Sequence, residues 1–421
     1  MSTEQNMPAR GRHPDAAPAR RFRRLLYGST AVIALLMVTL IGANLAQGPH
    51  LTSAQINLGT SVERAGQRLL LQSNEPLAAV AADQVSITPA ANATTTVTAN
   101  SLDVQFTDVL RYNTSYTVNV RDVKSISAGA SSTFSYSFTT PDPVMYFLAT
   151  SAGEGTNDAI KSVPLSGGDA ITVFSAPHIR QFVAFANSLV VNTINDDDTD
   201  ALTIVSLTGG TAIPVQLAGA GTVTSLQASP GSNLFGYTFS PAPSPQYQTP
   251  PDQLFAYDLT RGQDYAIPIT GADHEQLSAR DWMFVPGTTS LVALAAGSAQ
   301  PGSALQLIDT LGEREGTSGA VVVGAAQTLN GFVPGTKRLV TTQAGVSTAT
   351  DLGTTPPAST PFALSSSSPL AGHPLGGMCL APNGRYAAVT SAPSHISFVD
   401  LADGTTVSTV NGSQPNWCSN G

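Results

Sequence analysis

Apolar residues recur along this chain in two distinct ways. From Leu25 to Ala46 the sequence LLYGSTAVIALLMVTLIGANLA runs for 22 residues without a charge. At 1.5 Å per residue that is roughly 30 Å of helix, the thickness of a bilayer core, so the pattern predicts a transmembrane helix. After residue 50 the period changes to two. Runs such as Arg68–Leu71, Val85–Ile87, Thr95–Val97, Leu102–Phe106, Ser115–Val120 and Thr133–Phe138 are β-branched or alternate, and Asn, Gly, Pro or Ser separates them. This spacing predicts six or seven short strands over 51–140, the arithmetic of a β-sandwich. Pro141-Asp142-Pro143 is a natural boundary.

From residue 143 to 421 the pattern repeats. A strand followed by a tight turn recurs as FVAFANSLVVNT from Phe182, LQASPGSNLFGYTF from Leu226, FVPGTTSLVALA from Phe284, FVPGTKRLVTT from Phe332 and CLAPNGRYAAVT from Cys379, with a truncated copy at Cys418. The copies stand 44, 58, 48, 47 and 39 residues apart. A four-stranded blade takes about 40–50 residues, so the period predicts a β-propeller. Each copy leads into a further strand: LTIVSL, QLFAYDL, ALQLID or ISFVDL. Val144–Thr150 reads as a second strand without a first, and the copy at Cys418 is expected to supply it. Six blades are favoured, strand-closed by the C-terminus, and the fold class is all-β after the N-terminal helix.

Two resemblances attach to these segments. SNEPL, VSITPA, SLDVQFTDVLRYNTSYTVNV and FSYSFTT resemble the bacterial Ig-like domain of S-layer and other surface proteins, which implies a spacer or adhesion module over 51–140. The last copy resembles YVTN-type and WD40-like bacterial propellers, matching at Pro382, Asn383, Gly384, Arg385, Tyr386, Val399, Asp400, Leu401, Gly404 and Val407. The other copies depart from that repeat, so the resemblance speaks to fold, and fold alone does not imply function.

Charge sets the expected address. Residues 1–24 hold six Arg against Glu4 and Asp15, whereas the whole chain carries −9. Prolines at 8, 14 and 18 in a polar stretch mark this basic tail as disordered. Arg20, Arg21, Arg23 and Arg24 directly precede the apolar segment at 25–46, and no positive cluster follows. The positive-inside rule then puts the N-terminus in the cytoplasm and the bulk of the chain outside, single-pass in the cell membrane. A cleaved signal peptide is the competing reading. An acidic body without a basic stripe argues against nucleic acid.

The candidate chemistry is sparse. Cys379 and Cys418 occupy equivalent positions in successive copies, and a disulfide between them is expected outside the membrane. Blade register places Glu154, Asp158, Asp196, Asp197, Asp198, Asp200 and Tyr247 on one loop face, with His178, His274, His373 and His395. NDDDTD offers closely spaced carboxylates, a weak Ca²⁺ candidate at Asp196, Asp198 and Asp200, although the DxDxDG spacing is missing. Acidic hairpin loops of this kind are usually just solvated, and SPAPSPQYQTPPD (240–252) reads as a tolerated insertion, with a partner-binding polyproline II segment as its alternative. No cofactor is expected. HExxH, GxSxG, the P-loop and GxGxxG after a strand are all absent. The leading expectation is a non-catalytic interaction or scaffold protein whose loop face binds a protein or cell-wall partner. The alternatives are a propeller-type enzyme acting on a glycan or lactone, and a purely structural envelope protein.

Overall fold

The computed structural model describes residues 17–417 apart from 47, 128–129, 152, 154, 244–249, 262–265, 297–302, 311–318, 334, 364–377, 382 and 393. The chain forms two compact units. One comprises residues up to 57 with 66–108 and 115–138, and the other comprises 58–65, 109–114 and everything from 139 onward.

The first unit opens with a helix, Ala17–Ala46. The expected membrane span at 25–46 is corrected here: among the described residues, no helix is long and apolar enough to cross a membrane. The helix takes Arg20, Arg21, Arg23 and Arg24 into its own opening turns rather than starting after them. Its described apolar side chains are exposed, Leu25 at 74% and Val38 at 66%.

Seven strands follow in two sheets. Leu51–Gln55, Arg68–Ser73, Ser101–Phe106 and Ala93–Thr98 make the four-stranded sheet in that spatial order. Val85–Thr88, Ser115–Lys124 and Ser131–Thr139 make the three-stranded one. The alternation seen in the sequence is the burial pattern: Leu69 and Leu71, then Leu102, Val104 and Phe106, then Tyr116, Val118 and Val120 point inward. Phe138 is edge-on to Phe106 at 6.2 Å and stacked on Tyr116 at 5.6 Å.

The second unit holds six four-stranded antiparallel sheets, five of them simple meanders and one that takes its inner strand from Ser413–Trp417. Their inner strands are Ser413–Trp417, Ile179–Ala184, Gly221–Ala228, Ala279–Phe284, Thr328–Phe332 and Met378–Leu380, here numbered blades one to six. In blade one Ser413–Trp417 pairs with Val144–Ala149, Trp417 facing Met145. That strand lies ahead of the copy expected at Cys418, and Cys418 itself is outside the described residues.

Sequence dictates the lower hairpins. The inner-to-second turns close with the same backbone bond: Ser229 N–H to Leu234 O, Val285 to Ser290, Val333 to Arg338, Ala381 to Tyr386. Gly231, Gly287, Gly335 and Gly384 sit in these turns at φ of +80°, +68°, +69° and +66°. A left-handed residue is required there, and glycine supplies it without a Cβ clash. This is the origin of the recurring Pro-Gly and Asn-Gly signals. The copies detected from Phe182, Phe284 and Phe332 begin near the ends of the inner strands.

The cores lie between blades. Val183, Val190 and Leu202 of blade two meet Val223, Phe235, Tyr237 and Phe239 of blade three. On the other face of blade three, Leu234, Leu254 and Ala256 meet Trp282, Leu291 and Ala293 of blade four. Second strands are therefore buried on both faces, and they read as unbroken apolar runs such as LVV and LVALA. Outer strands are exposed edges. Pro214, Pro268 and Pro361 interrupt those of blades two, three and five, whereas blade four ends in Val321–Ala326 with Val321 and Val322 59% and 53% exposed.

Neighbouring blades share no ladder, so side chains cross between inner strands. Asn416 Oδ1 accepts from Ala184 N–H at 3.0 Å. Gln181 donates to Val223 O at 3.0 Å and accepts from Leu226 N–H at 2.9 Å. Gln227 donates to Trp282 O at 2.8 Å, Asp281 accepts from Leu329 N–H at 3.2 Å, and the Trp417 indole donates to Cys379 O at 3.0 Å.

Two substitutions test this account. Gln181→Ala strands a donor and an acceptor of blade three and is expected to lower stability by about 1–3 kcal/mol in urea denaturation. Gly236→Ala brings a Cβ to 2.8 Å from the Trp282 ring and 3.1 Å from Phe255 O, and overpacking there costs about 1–3 kcal/mol in the same assay.

Candidate functional site

Antiparallel order fixes which loops share an end. Each inner strand runs downward, so second-to-third turns and outer-to-inner connections all emerge at the upper end. His178 and His274 stand on outer-to-inner connections, Asp196, Asp197 and Asp198 on the blade-two hairpin, and His395 at the start of a third strand. Glu154, Tyr247 and His373 lie outside the described residues.

The upper end separates these candidates into two groups. Asp158 and Asp200 each begin a third strand, and each accepts a backbone N–H of the next blade's inner strand. Asp158 accepts from Ser151 N–H at 2.9 Å and, across the blade boundary, from Ile179 N–H at 3.0 Å. Asp200 accepts from Val223 N–H of blade three at 2.7 Å, from Asn192 Nδ2 at 3.1 Å and from Arg180 Nε at 3.1 Å. Its side chain is fully buried. Both belong to the scaffold that carries the face.

The other group is exposed. The Asn195–Thr199 turn is closed by Asn195 N–H to Thr199 O at 2.8 Å, with Asp198 at φ +62°. Asp197 accepts from the Thr199 hydroxyl and N–H, which pulls its carboxyl below the usual range. Asp196 and Asp198 project beside it into solvent, as do His178 and His274. His395 Nδ1 lies 3.4 Å from Asn411 Oδ1.

The weak Ca²⁺ candidate is not assembled. Asp200 points into the blade while Asp196 and Asp198 point out, and among the described residues no group of three or more His, Cys, Asp or Glu could hold a metal ion. Cys379 carries a free thiol. Burial pushes it up to about 11, against a hydrogen bond from the Trp417 backbone, so it stays protonated at neutral pH and is a poor nucleophile. Its expected partner Cys418 is outside the described residues.

A further set of residues was not anticipated. Five inner strands carry a β-bulge at their upper end, and the bulged residue is polar each time: Arg180, Thr224, Arg280 and Asn330 in blades two to five, Gln414 in blade one. Bulges re-aim side chains and recur beside functional sites. Gln414 donates to Arg180 O at 2.8 Å, Thr224 to Asp252 Oδ1 at 2.7 Å, and Arg280 to Gln327 O. Asp281, next to Arg280, is pushed up by burial and pulled back by the Leu329 and Trp282 N–H groups. The sequence does carry a signal. Ile-Arg-Gln-Phe, Val-Thr-Ser-Leu and Ala-Arg-Asp-Trp place a polar pair, and Leu-Asn-Gly-Phe a single polar residue and a glycine, between two buried residues at the same point of each repeat.

Six four-stranded antiparallel sheets in succession, packed face to face, define a β-propeller. No known protein family and no curated protein matches the chain. Among solved structures it is similar to TolB from Acinetobacter baumannii, at 13% identity over 73% of this chain and 81% of that one, with a TM-score of 0.43. It is similar to an oligogalacturonate lyase in complex with manganese at 10% identity, covering 82% of this chain and 95% of that one, with a TM-score of 0.37. The β-propeller domain of Swd1 from Myceliophteria thermophila gives 11% identity over 65% and 88%, with a TM-score of 0.32. Likeness at this level carries no argument about activity.

The two groups of aspartates make a sharp test. Asp200→Ala leaves the Val223 N–H, Asn192 and Arg180 without their acceptor, and is expected to cost about 2–4 kcal/mol in denaturant melts. Asp196→Ala, on the exposed turn, is expected to shift stability by less than about 0.5 kcal/mol.

Proposed function

We propose that this protein is a non-catalytic, extracytoplasmic binding module whose upper loop face contacts a protein or cell-wall partner. The observation that carries the reading is the division of labour at that end. Asp158 and Asp200 are locked between blades, while Asp196, Asp197, Asp198, His178 and His274 are presented to solvent from connections on a preformed frame. Loops held this way bind with little ordering cost.

Export is supported by the basic residues ahead of the exposed apolar stretch Leu25–Val38, which have the character of a targeting segment. The seven-strand first unit serves in this reading as an Ig-like spacer that presents the module. No described constellation at the upper end pairs a nucleophile with a base, so the binding reading stands ahead of a glycan- or lactone-directed enzyme.

The test is a triple variant, Asp196→Ala, Asp197→Ala and Asp198→Ala, compared with wild type by sedimentation with purified cell wall and by cross-linking in intact envelopes. Retention of at most about a tenth of the wild-type association is the expected result, with the melting temperature lowered by no more than a few degrees for the lost Asp197–Thr199 bonds and an Ala at the positive-φ position 198. Equal association in both assays would remove this face from consideration.

A further inference from the structure

Five of the six sheets are tied at their lower end by the chain itself. A short turn carries each of their inner strands into the second strand, closed by a backbone bond from Phe185 to Ser188, Ser229 to Leu234, Val285 to Ser290, Val333 to Arg338 or Ala381 to Tyr386. Blade one has no such turn. Its inner strand Ser413–Trp417 faces Val144–Ala149, a segment far away in sequence, and a bulge between Ser413 and Asn416 interrupts the ladder they share. A strand held this way opens more readily than one continued through a hairpin.

The lower end of that strand rests on blade six. The Trp417 ring is edge-on to Phe398 at 5.7 Å. Its indole donates to Cys379 O at 3.0 Å, and the Trp417 backbone N–H donates to the Cys379 sulfur. Residue 417 therefore touches Cys379 through both its side chain and its backbone. The next residue in the sequence is Cys418, the second of the two cysteines in the chain. Consecutive Cα atoms stand about 3.8 Å apart, and a disulfide joins Cα atoms about 4.4–6.8 Å apart. The sulfur that Trp417 touches is thus a single residue away from the other thiol.

We propose that Cys379 and Cys418 form a redox latch, a disulfide that ties the lower end of the inner strand of blade one to blade six in place of the missing turn. The Cys418 thiolate attacks a disulfide oxidant such as glutathione disulfide and releases one thiol. The Cys379 sulfur then gives up its proton and displaces the second thiol from the mixed disulfide. Two protein thiols are oxidised and one disulfide of the oxidant is reduced. Cys379 is protonated at neutral pH, so the exchange starts at Cys418. The link closes a loop with 38 residues between the cysteines, which removes freedom from the opened state. The latch lies at the lower end, apart from the binding face proposed above, so the two readings stand or fall separately.

The experiment equilibrates the purified full chain with glutathione disulfide or with dithiothreitol, then blocks free thiols and maps peptides without reduction. The oxidised sample is expected to yield a Cys379–Cys418 linked peptide and no free thiol. Its melting temperature is expected to exceed that of the reduced sample by at least about 5 °C. Amide exchange across Ser413–Trp417 is expected to slow at least about tenfold on oxidation, with the lower hairpin of blade three as an unchanged internal reference. Cys418→Ser, which leaves every described contact of Cys379 in place, is expected to match the reduced wild type in both buffers. Two free thiols, or glutathione adducts without a link, at every glutathione ratio overturn the proposal. A link between two copies of the chain overturns it as well. A linked peptide with unchanged melting and exchange would overturn the latch, since the bond would then constrain nothing.

Discussion

Adjacent blades exchange no ladder hydrogen bonds, so the propeller depends on how the backbone at the facing edges of its inner strands is satisfied. A buried N–H or carbonyl without a partner is costly. Asn416, Gln181, Gln227, Asp281 and Trp417 each reach across one boundary to answer a backbone group of the next inner strand. In blades three, four and five the bridged groups lie beside the bulges at Thr224, Arg280 and Asn330, where the inner strand departs from its own ladder. Asp158 and Asp200 repeat the device one layer out, from third strand to the next inner strand.

Apolar packing then fills what the bridges define. Phe235, Tyr237 and Phe239 turn one way toward blade two, and Trp282 closes over Gly236 on the other side. The rings stack in series, Phe235 on Tyr257 at 5.0 Å and Tyr237 on Phe255 at 5.3 Å. Trp282 is fully buried with its indole N–H unpartnered in the described structure, a polar cost at the centre of an otherwise apolar layer. Size complementarity between one glycine and one tryptophan therefore sets the spacing of blades three and four.

Much of this was legible because turns announce themselves. The left-handed glycines mark the lower hairpins, and both-face burial turns second strands into apolar runs, so repeat length and strand type could be read directly. The site was less legible. Asp158 and Asp200 look like surface acids when only charge is considered, yet both open the pattern Asp-Ala followed by Ile or Leu, at the same point in successive blades. A repeated position of that kind signals a shared structural duty. Arg180 and Arg280 were passed over because a bulge is a property of pairing, and pairing partners are distant in sequence. The apolar stretch at 25–46 looks like a span from its length and from the arginines ahead of it, whereas those arginines belong to the same helix.

The outer rim is treated unevenly, and that has a consequence for how the molecule behaves in a crowd. Proline removes donors from the outer strands of blades two, three and five, leaving edges poorly suited to accept another strand. Blade four has no such guard, and its outer strand Val321–Ala326 offers an uncharged, valine-rich edge to solvent. The outer strands of blades one and six, Ile171–Ala176 and Thr406–Asn411, lack a proline too, so colloidal behaviour at high concentration is governed by these three blades, where two molecules can join edge to edge and extend a sheet across both.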